Sequence, residues 1–235
     1  MVHDNLSLLS KYLTNRSKDI ETTGNADIII SEKFDGTLFD LKNANQSLFN
    51  DKNIMKSLVI QLVEALYYLG SKKIVIGDVR QRNILYKKVD KGELCKLDGV
   101  SFSNGGYLFG IIDYGQSFIN TKDANINYYM NLSYQDIENM GEKTKIISTN
   151  YDLLDFIIHH LDDDTKIKYM LLIDAFTVFV IISNIYDDEM FIKLCDELAD
   201  EIVTKIFNLK IIKKVPAFDI VKIRQFVYKN FIFRE

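Results

Sequence analysis

Cysteine, proline and net charge are all scarce in this sequence, which holds two cysteines, one proline and a formal charge of −4. Cys95 and Cys195 lie far apart and form no C-x-x-C or Cys/His pair. They read as unremarkable thiols of a protein kept in a reducing compartment, and a cytoplasmic location is expected. The weak charge creates no global field for nucleic acid or an anionic membrane, so neither is expected as a partner. Any phosphate bound here must be held by local geometry and metal ions. The opening residues, MVHDNLSLLSKYL, lack the basic start and apolar core of a secretory signal. No internal repeat or low-complexity linker interrupts the chain.

What is present is ordinary for a soluble globular protein: 47% hydrophobic and 26% charged residues over 235 positions, enough for one or two domains with a sizeable core. Heavy use of Ile, Asn, Lys and Asp looks like the product of an AT-rich genome, such as that of a protist or a large DNA virus. One apolar stretch, Tyr169–Tyr186, nearly reaches bilayer length. Asp174 near its middle and flanks of mixed charge favour a buried helix over a membrane span.

Periodicity organises the rest. Leu6–Leu13 reads as a short amphipathic helix, and Ala26–Ser31 as a buried, isoleucine-rich strand. Residues 34–37 carry turn chemistry, and 43–53 read as a polar loop. From Ile54 to Leu69, apolar residues at 54, 58, 62, 65, 66 and 69 form one helical stripe, which Gly70 is expected to end. Two short apolar runs, 74–76 and 84–86, bracket a polar loop. The second is expected to pair with a strand over 107–112 as a hairpin with an enlarged tip. Helices are expected over 151–161, 166–184, 188–209 and 217–232. The order reads as α+β with a dominant helical part.

The richest segment is 66–86, LYYLGSKKIVIGDVRQRNILY. A helix delivers the chain into Asp78-x-x-x-x-Asn83, and a strand follows at once. FGIIDYGQ (109–116) then brings a second acid, Asp113, to the end of a neighbouring strand. This order resembles the protein kinase superfamily. Asp78 and Asn83 match its catalytic-loop pattern, and Asp113-Tyr114-Gly115 matches its Asp-Phe-Gly motif with tyrosine for phenylalanine. IIISEKFDGTLFDL (28–41) is similar to its last N-lobe strand and hinge.

The resemblance implies a kinase-like C-lobe over 42–235, mainly helical with short β-hairpins, and a remnant N-lobe over 1–41. It implies ATP and Mg²⁺ as cofactors. Phosphoryl transfer needs positioning and charge neutralisation more than covalent help, and Mg²⁺ favours hard oxygen ligands. Asp113 would hold the ion bridging the phosphates and Asn83 a second ion. Asp78 would orient an acceptor hydroxyl and take its proton, and Arg80 would clamp the transferred phosphate. Ile30, Glu32, Phe34 and Leu85 would contact the nucleotide.

Departures from the pattern shape the functional expectations. Gly77 precedes Asp78 where protein kinases usually carry arginine, and Ile76 stands where they usually carry histidine, so control through an arginine-paired phosphorylated segment is not expected. About 26 residues precede the hinge-like strand, with no G-x-G-x-x-G and no V-A-I-K-like lysine. Residues 118–150 hold no proline and therefore no Ala-Pro-Glu motif. Asp152 and Asp174 compete for the role of buried anchor beneath the catalytic loop. His159-His160 and Asp162–Asp164 read as a solvated helix end, as does Asp4 at a helix start.

Three readings stay open: a phosphotransferase acting on protein Ser/Thr, a catalytically impaired scaffold or binding module, and a small-molecule kinase. The partner is expected to be a protein substrate or a chain that completes the N-lobe.

Overall fold

Thr37 starts the first of the described helices by a reciprocal cap. The computed structural model describes residues 33–91, 94–97, 100–113, 118–119, 161–186, 188–190, 192–198, 200–201 and 220–231. The chain divides into two compact units, Met1–Lys33 and Phe34–Glu235; Lys33 apart, the described residues belong to the second. Its first elements are β1 (Gly36–Thr37) and α1 (Leu38–Ala44). Thr37 Oγ1 accepts from the Asp40 N–H at 3.1 Å, while the Asp40 carboxylate accepts from the Thr37 N–H at 3.2 Å and its hydroxyl at 2.7 Å. Two helix-end donors are thus satisfied by one residue pair. A 3₁₀ turn, Gln46–Asn50, follows where a plain loop was expected.

The central helix, α2, runs Lys52–Ser71 behind an Asp51 N-cap whose Oδ1 accepts from the Asn53 N–H at 2.8 Å. The expected stripe is its core face: Ile54, Leu58, Leu62 and Leu66 are all buried. Gly70 does not end the helix as expected. The chain turns one residue later, through Lys72 and a left-handed Lys73 (φ 57°). Gly70 instead permits close packing, because a Cβ there would lie 2.9 Å from Leu171 Cδ1.

The expected hairpin forms. Strand β2 (Ile74–Val75) precedes it, and β3 (Ile84–Lys88) pairs antiparallel with β6 (Tyr107–Ile111), from Ile84 opposite Ile111 to Lys88 opposite Tyr107. Its enlarged tip is itself a hairpin, β4 (Leu94–Leu97) with β5 (Val100–Ser103). On the other side β1 adds to β3, giving the order β1-β3-β6. β7 (Phe118–Ile119) pairs antiparallel with β2.

Helix α3 (Asp163–Ser183) coincides with the expected 166–184 helix, and α4 (Ile220–Phe231) with the expected 217–232 helix. Residues 192–198 are helical, within the expected 188–209 span; the expected 151–161 helix lies outside the described residues. Every α3 residue from Tyr169 to Ile182 is buried, so the helix is apolar all round because it sits inside the domain. Asp162 caps it, accepting from the Thr165 N–H at 2.9 Å and hydroxyl at 2.7 Å. Among the described residues, no helix is long and apolar enough to cross a membrane. The described part is thus a mixture of helices and small antiparallel sheets, an α+β arrangement.

α2 also packs on α4, and a buried polar cluster ties the two. Glu64 accepts from Arg224 Nε at 2.5 Å and Nη2 at 3.1 Å, and from the Tyr228 hydroxyl at 2.5 Å. The Arg224 guanidinium stacks over the Tyr67 ring at 4.4 Å. The Glu64 carboxylate beside it raises the proton affinity of Arg224, so the guanidinium keeps its charge. Arg224→Met is expected to cost about 3 kcal/mol in urea unfolding, since it strands a buried carboxylate; Glu64→Leu combined with Arg224→Met should recover most of that loss. A single-substitution cost below about 1 kcal/mol would refute this account.

Candidate functional site

The chain leaves α2 through Lys73, forms β2, and enters a loop held from below by Asp174 on α3. The two Asp174 carboxylate oxygens accept from the Ile76 N–H at 2.8 Å and the Gly77 N–H at 3.0 Å. Gly77 takes φ 79°, a conformation that L side chains rarely adopt. Glycine before Asp78 therefore has a local steric reason. Of the two anchor candidates, Asp174 fills the place; Asp152 lies outside the described residues. Burial pushes the Asp174 carboxyl up to about 7, with the two N–H donors pulling it down and the Asp78 charge pushing further upward.

Asp78 follows with its side chain buried. Arg80 Nη2 lies 2.6 Å from Asp78 Oδ2. A 3₁₀ turn, Gln81–Asn83, returns the chain so that Asn83 Nδ2 donates to the Asp78 carbonyl at 2.9 Å and to its Oδ2 at 3.1 Å. Both amide hydrogens of Asn83 thus serve Asp78, and Asn83 Oδ1 accepts no hydrogen bond among the described residues. Asp78 Oδ1 and Arg80 Nε are buried and find no hydrogen-bond partner among the described residues. Burial raises the Asp78 carboxyl above the ordinary carboxylate range; Arg80 and the Asn83 amide oppose this, while the Asp113 charge adds to it.

Asp113 arrives from β6. The Ile112 N–H donates to the Asn83 carbonyl at 2.8 Å, joining the end of one strand to the start of the other. Asp113 is exposed and takes φ 66°, a left-handed conformation uncommon for a residue with a side chain. The three residues singled out by spacing are therefore brought to one end of the β3–β6 pair.

A residue that spacing did not single out supports this arrangement. Gln61 on α2 is buried; its Oε1 accepts from the Phe109 N–H at 2.9 Å and its Nε2 donates to the Tyr107 carbonyl at 3.1 Å and the Ser57 hydroxyl at 2.7 Å. The side-chain amide pairs with the edge of β6 as a neighbouring strand would. The available signal was Ser57, Gln61 and Glu64, polar residues at helical spacing in an otherwise apolar helix.

Of the expected nucleotide contacts, Leu85 and Phe34 are half-buried and share one sheet face. Leu85 stands opposite Gly110, and a Cβ on Gly110 would meet the Phe34 ring at 3.6 Å. Ile30 and Glu32 lie outside the described residues, as do Tyr114, Gly115 and His159-His160. Asp162 is exposed and also caps α3, and exposed Asp164 pairs with Lys73 at 2.7 Å. Cys195 is buried and free.

No three His, Cys, Asp or Glu side chains assemble into a metal cage among the described residues. Asp78, Asn83 and Asp113 offer two carboxylates and an amide oxygen, a donor set that fits a magnesium ion whose remaining ligands are water and phosphate.

Two outcomes test this architecture. A carboxyl at about 7 in the folded chain and near 3.8 when unfolded binds more protons in the native state between those values. The Asp174 contribution to stability is therefore full below pH 4 and lost as pH rises through about 7. Asp174→Asn should flatten that part of the stability–pH curve while costing about 2 kcal/mol, because the amide NH2 replaces one of the two oxygens that now accept from separate N–H groups; an unchanged curve would contradict it. Gln61→Leu should cost about 2 kcal/mol by orphaning the Phe109 N–H and Tyr107 carbonyl, and amide exchange at Phe109 should accelerate.

No protein-family model matches this chain and no curated protein is significantly similar to it, so the chemistry of the site has to be read from these side chains.

Proposed function

We propose that this chain is an ATP- and Mg²⁺-dependent phosphotransferase of protein-kinase type acting on protein Ser or Thr hydroxyls, and that its α+β unit is a kinase-like C-lobe. The convergence of Asp78, Asn83 and Asp113 at the end of the β3–β6 pair carries this reading. An exposed Asp113 and an Asp78 whose buried Oδ1 finds no partner among the described residues do little for folding, whereas oxygen donors so arranged suit phosphate and a divalent cation.

Bound Mg²⁺ would supply neutralisation of phosphate charge during transfer. Asn83 Oδ1 and the Asp113 carboxylate are the groups that would hold it. Asp78 works through its two oxygens differently. Arg80 and Asn83 hold Oδ2, which fixes the carboxylate, and the partnerless Oδ1 is the atom suited to receive the proton of an acceptor hydroxyl. The raised proton affinity of Asp78 helps that task, because a base is most effective when its pKa approaches the working pH. Phe34 and Leu85 offer an apolar face on which a purine can lie.

The test uses the full chain with Mg-ATP and a mixed protein substrate. Mg-ATP is expected to raise the melting temperature, and Asp113→Ala to abolish that rise. Asp78→Asn is expected to lower phosphate transfer about a hundredfold or more while preserving the rise. Transfer undiminished by Asp78→Asn would eliminate the mechanism; a melting shift with no transfer by the parent chain would favour a nucleotide-binding scaffold.

A further inference from the structure

Arg82 lies between Gln81 and Asn83 on the turn that also carries Arg80, yet it takes no part in the cluster around Asp78. Its guanidinium carbon sits 4.1 Å from the centroid of the Phe39 ring on α1. A guanidinium this close to a ring face is attracted to it and can keep its N–H donors available to an anion. Arg82 is exposed, and its guanidinium donates no hydrogen bond among the described residues. Asp40, the acid next to Phe39, is already committed to the Thr37 cap through both the backbone and the hydroxyl. Arg82 lowers the proton affinity of Asp40 only as the least of several influences. The result is a cation stacked on an aromatic ring, with no ion pair among the described residues and only a weak influence from Asp40, one residue from Asn83 and four from Asp78.

A guanidinium restrained by an aromatic ring loses less freedom when its planar fork meets a two-oxygen anion. We infer that Arg82, stacked on Phe39, recognises an anionic side chain near the hydroxyl of the acceptor polypeptide, a carboxylate or an already phosphorylated residue, and so selects acidic substrates. The inference rests on the phosphotransferase reading for the identity of the hydroxyl, but its binding component can be measured separately.

The experiment is fluorescence anisotropy with the full chain, with and without Mg²⁺ and a non-hydrolysable ATP analogue. Four labelled serine peptides differ only in flanking residues: glutamate, phosphoserine, alanine or lysine. The glutamate or phosphoserine peptide is expected to bind about tenfold tighter than the alanine peptide, and comparing those two distinguishes the source of the anion. Arg82→Glu should reverse the order in favour of lysine. Phe39→Ala should weaken anion binding while leaving the Mg-ATP melting shift intact, and Arg82→Lys should recover only part of the selectivity, since a point charge cannot replace a planar fork.

Equal binding of all four peptides, binding of none, or a preference unmoved by Arg82→Glu would overturn the inference. Absence of the Mg-ATP shift in the parent chain would instead count against the phosphotransferase reading alone.

Discussion

The buried carboxylate of Asp174, accepting two successive backbone N–H groups at Ile76 and Gly77, is the contact from which the rest of the site is built. A loop tip ordinarily leaves its amides to water. Here the amides are pinned to a helix that is buried along most of its length, so the loop inherits the rigidity of the core. The cost is an acid in low dielectric, visible in its raised proton affinity, and only the two donors keep that cost tolerable. Gly77 belongs to the same bargain, because its left-handed backbone lets the chain leave the anchor and present Asp78 at once.

Further out, α2 works as a polar spine inside an apolar helix. Gln61 pairs with the edge of β6, and Glu64 ties α2 to α4 through Arg224 and Tyr228. Gln61, Glu64 and Tyr228 are buried with their hydrogen-bonding groups engaged, which is the condition under which buried polar groups specify an arrangement rather than weaken it. Together with Asp174, they hold the loop bearing Asp78 and the strand bearing Asp113 against one scaffold. The proposed phosphotransferase would depend on that shared support, since charge neutralisation works only if the donors do not have to reorganise.

Local pattern was most informative where one physical signal dominated. The α2 stripe, the 84–111 hairpin and the buried character of 169–182 were all legible, because apolar periodicity and run length report burial directly. Gly70 was misleading. Glycine after a helical stripe reads as a C-terminal cap, but here its missing side chain admits Leu171 from α3, a contact absent from any local window. Asp162 is exposed, as expected, and in addition caps a helix, and the 43–53 stretch contains a 3₁₀ turn; both are short-range hydrogen-bond choices that composition does not resolve.

By itself the sequence determined that Asp78, Asn83 and Asp113 sit beside strand ends, since the helix–loop–strand rhythm around them follows from local apolar pattern and turn chemistry. Tertiary structure alone decided that Asn83 points its amide at Asp78, that the Ile112 N–H closes onto the Asn83 carbonyl, and that Asp174 lies beneath the loop. Apart from the Asn83–Asp78 pair within one loop, those contacts join residues far apart in the chain, and a side chain's partner across such separations is set by how helices and sheet pack, which no run of neighbouring residues encodes.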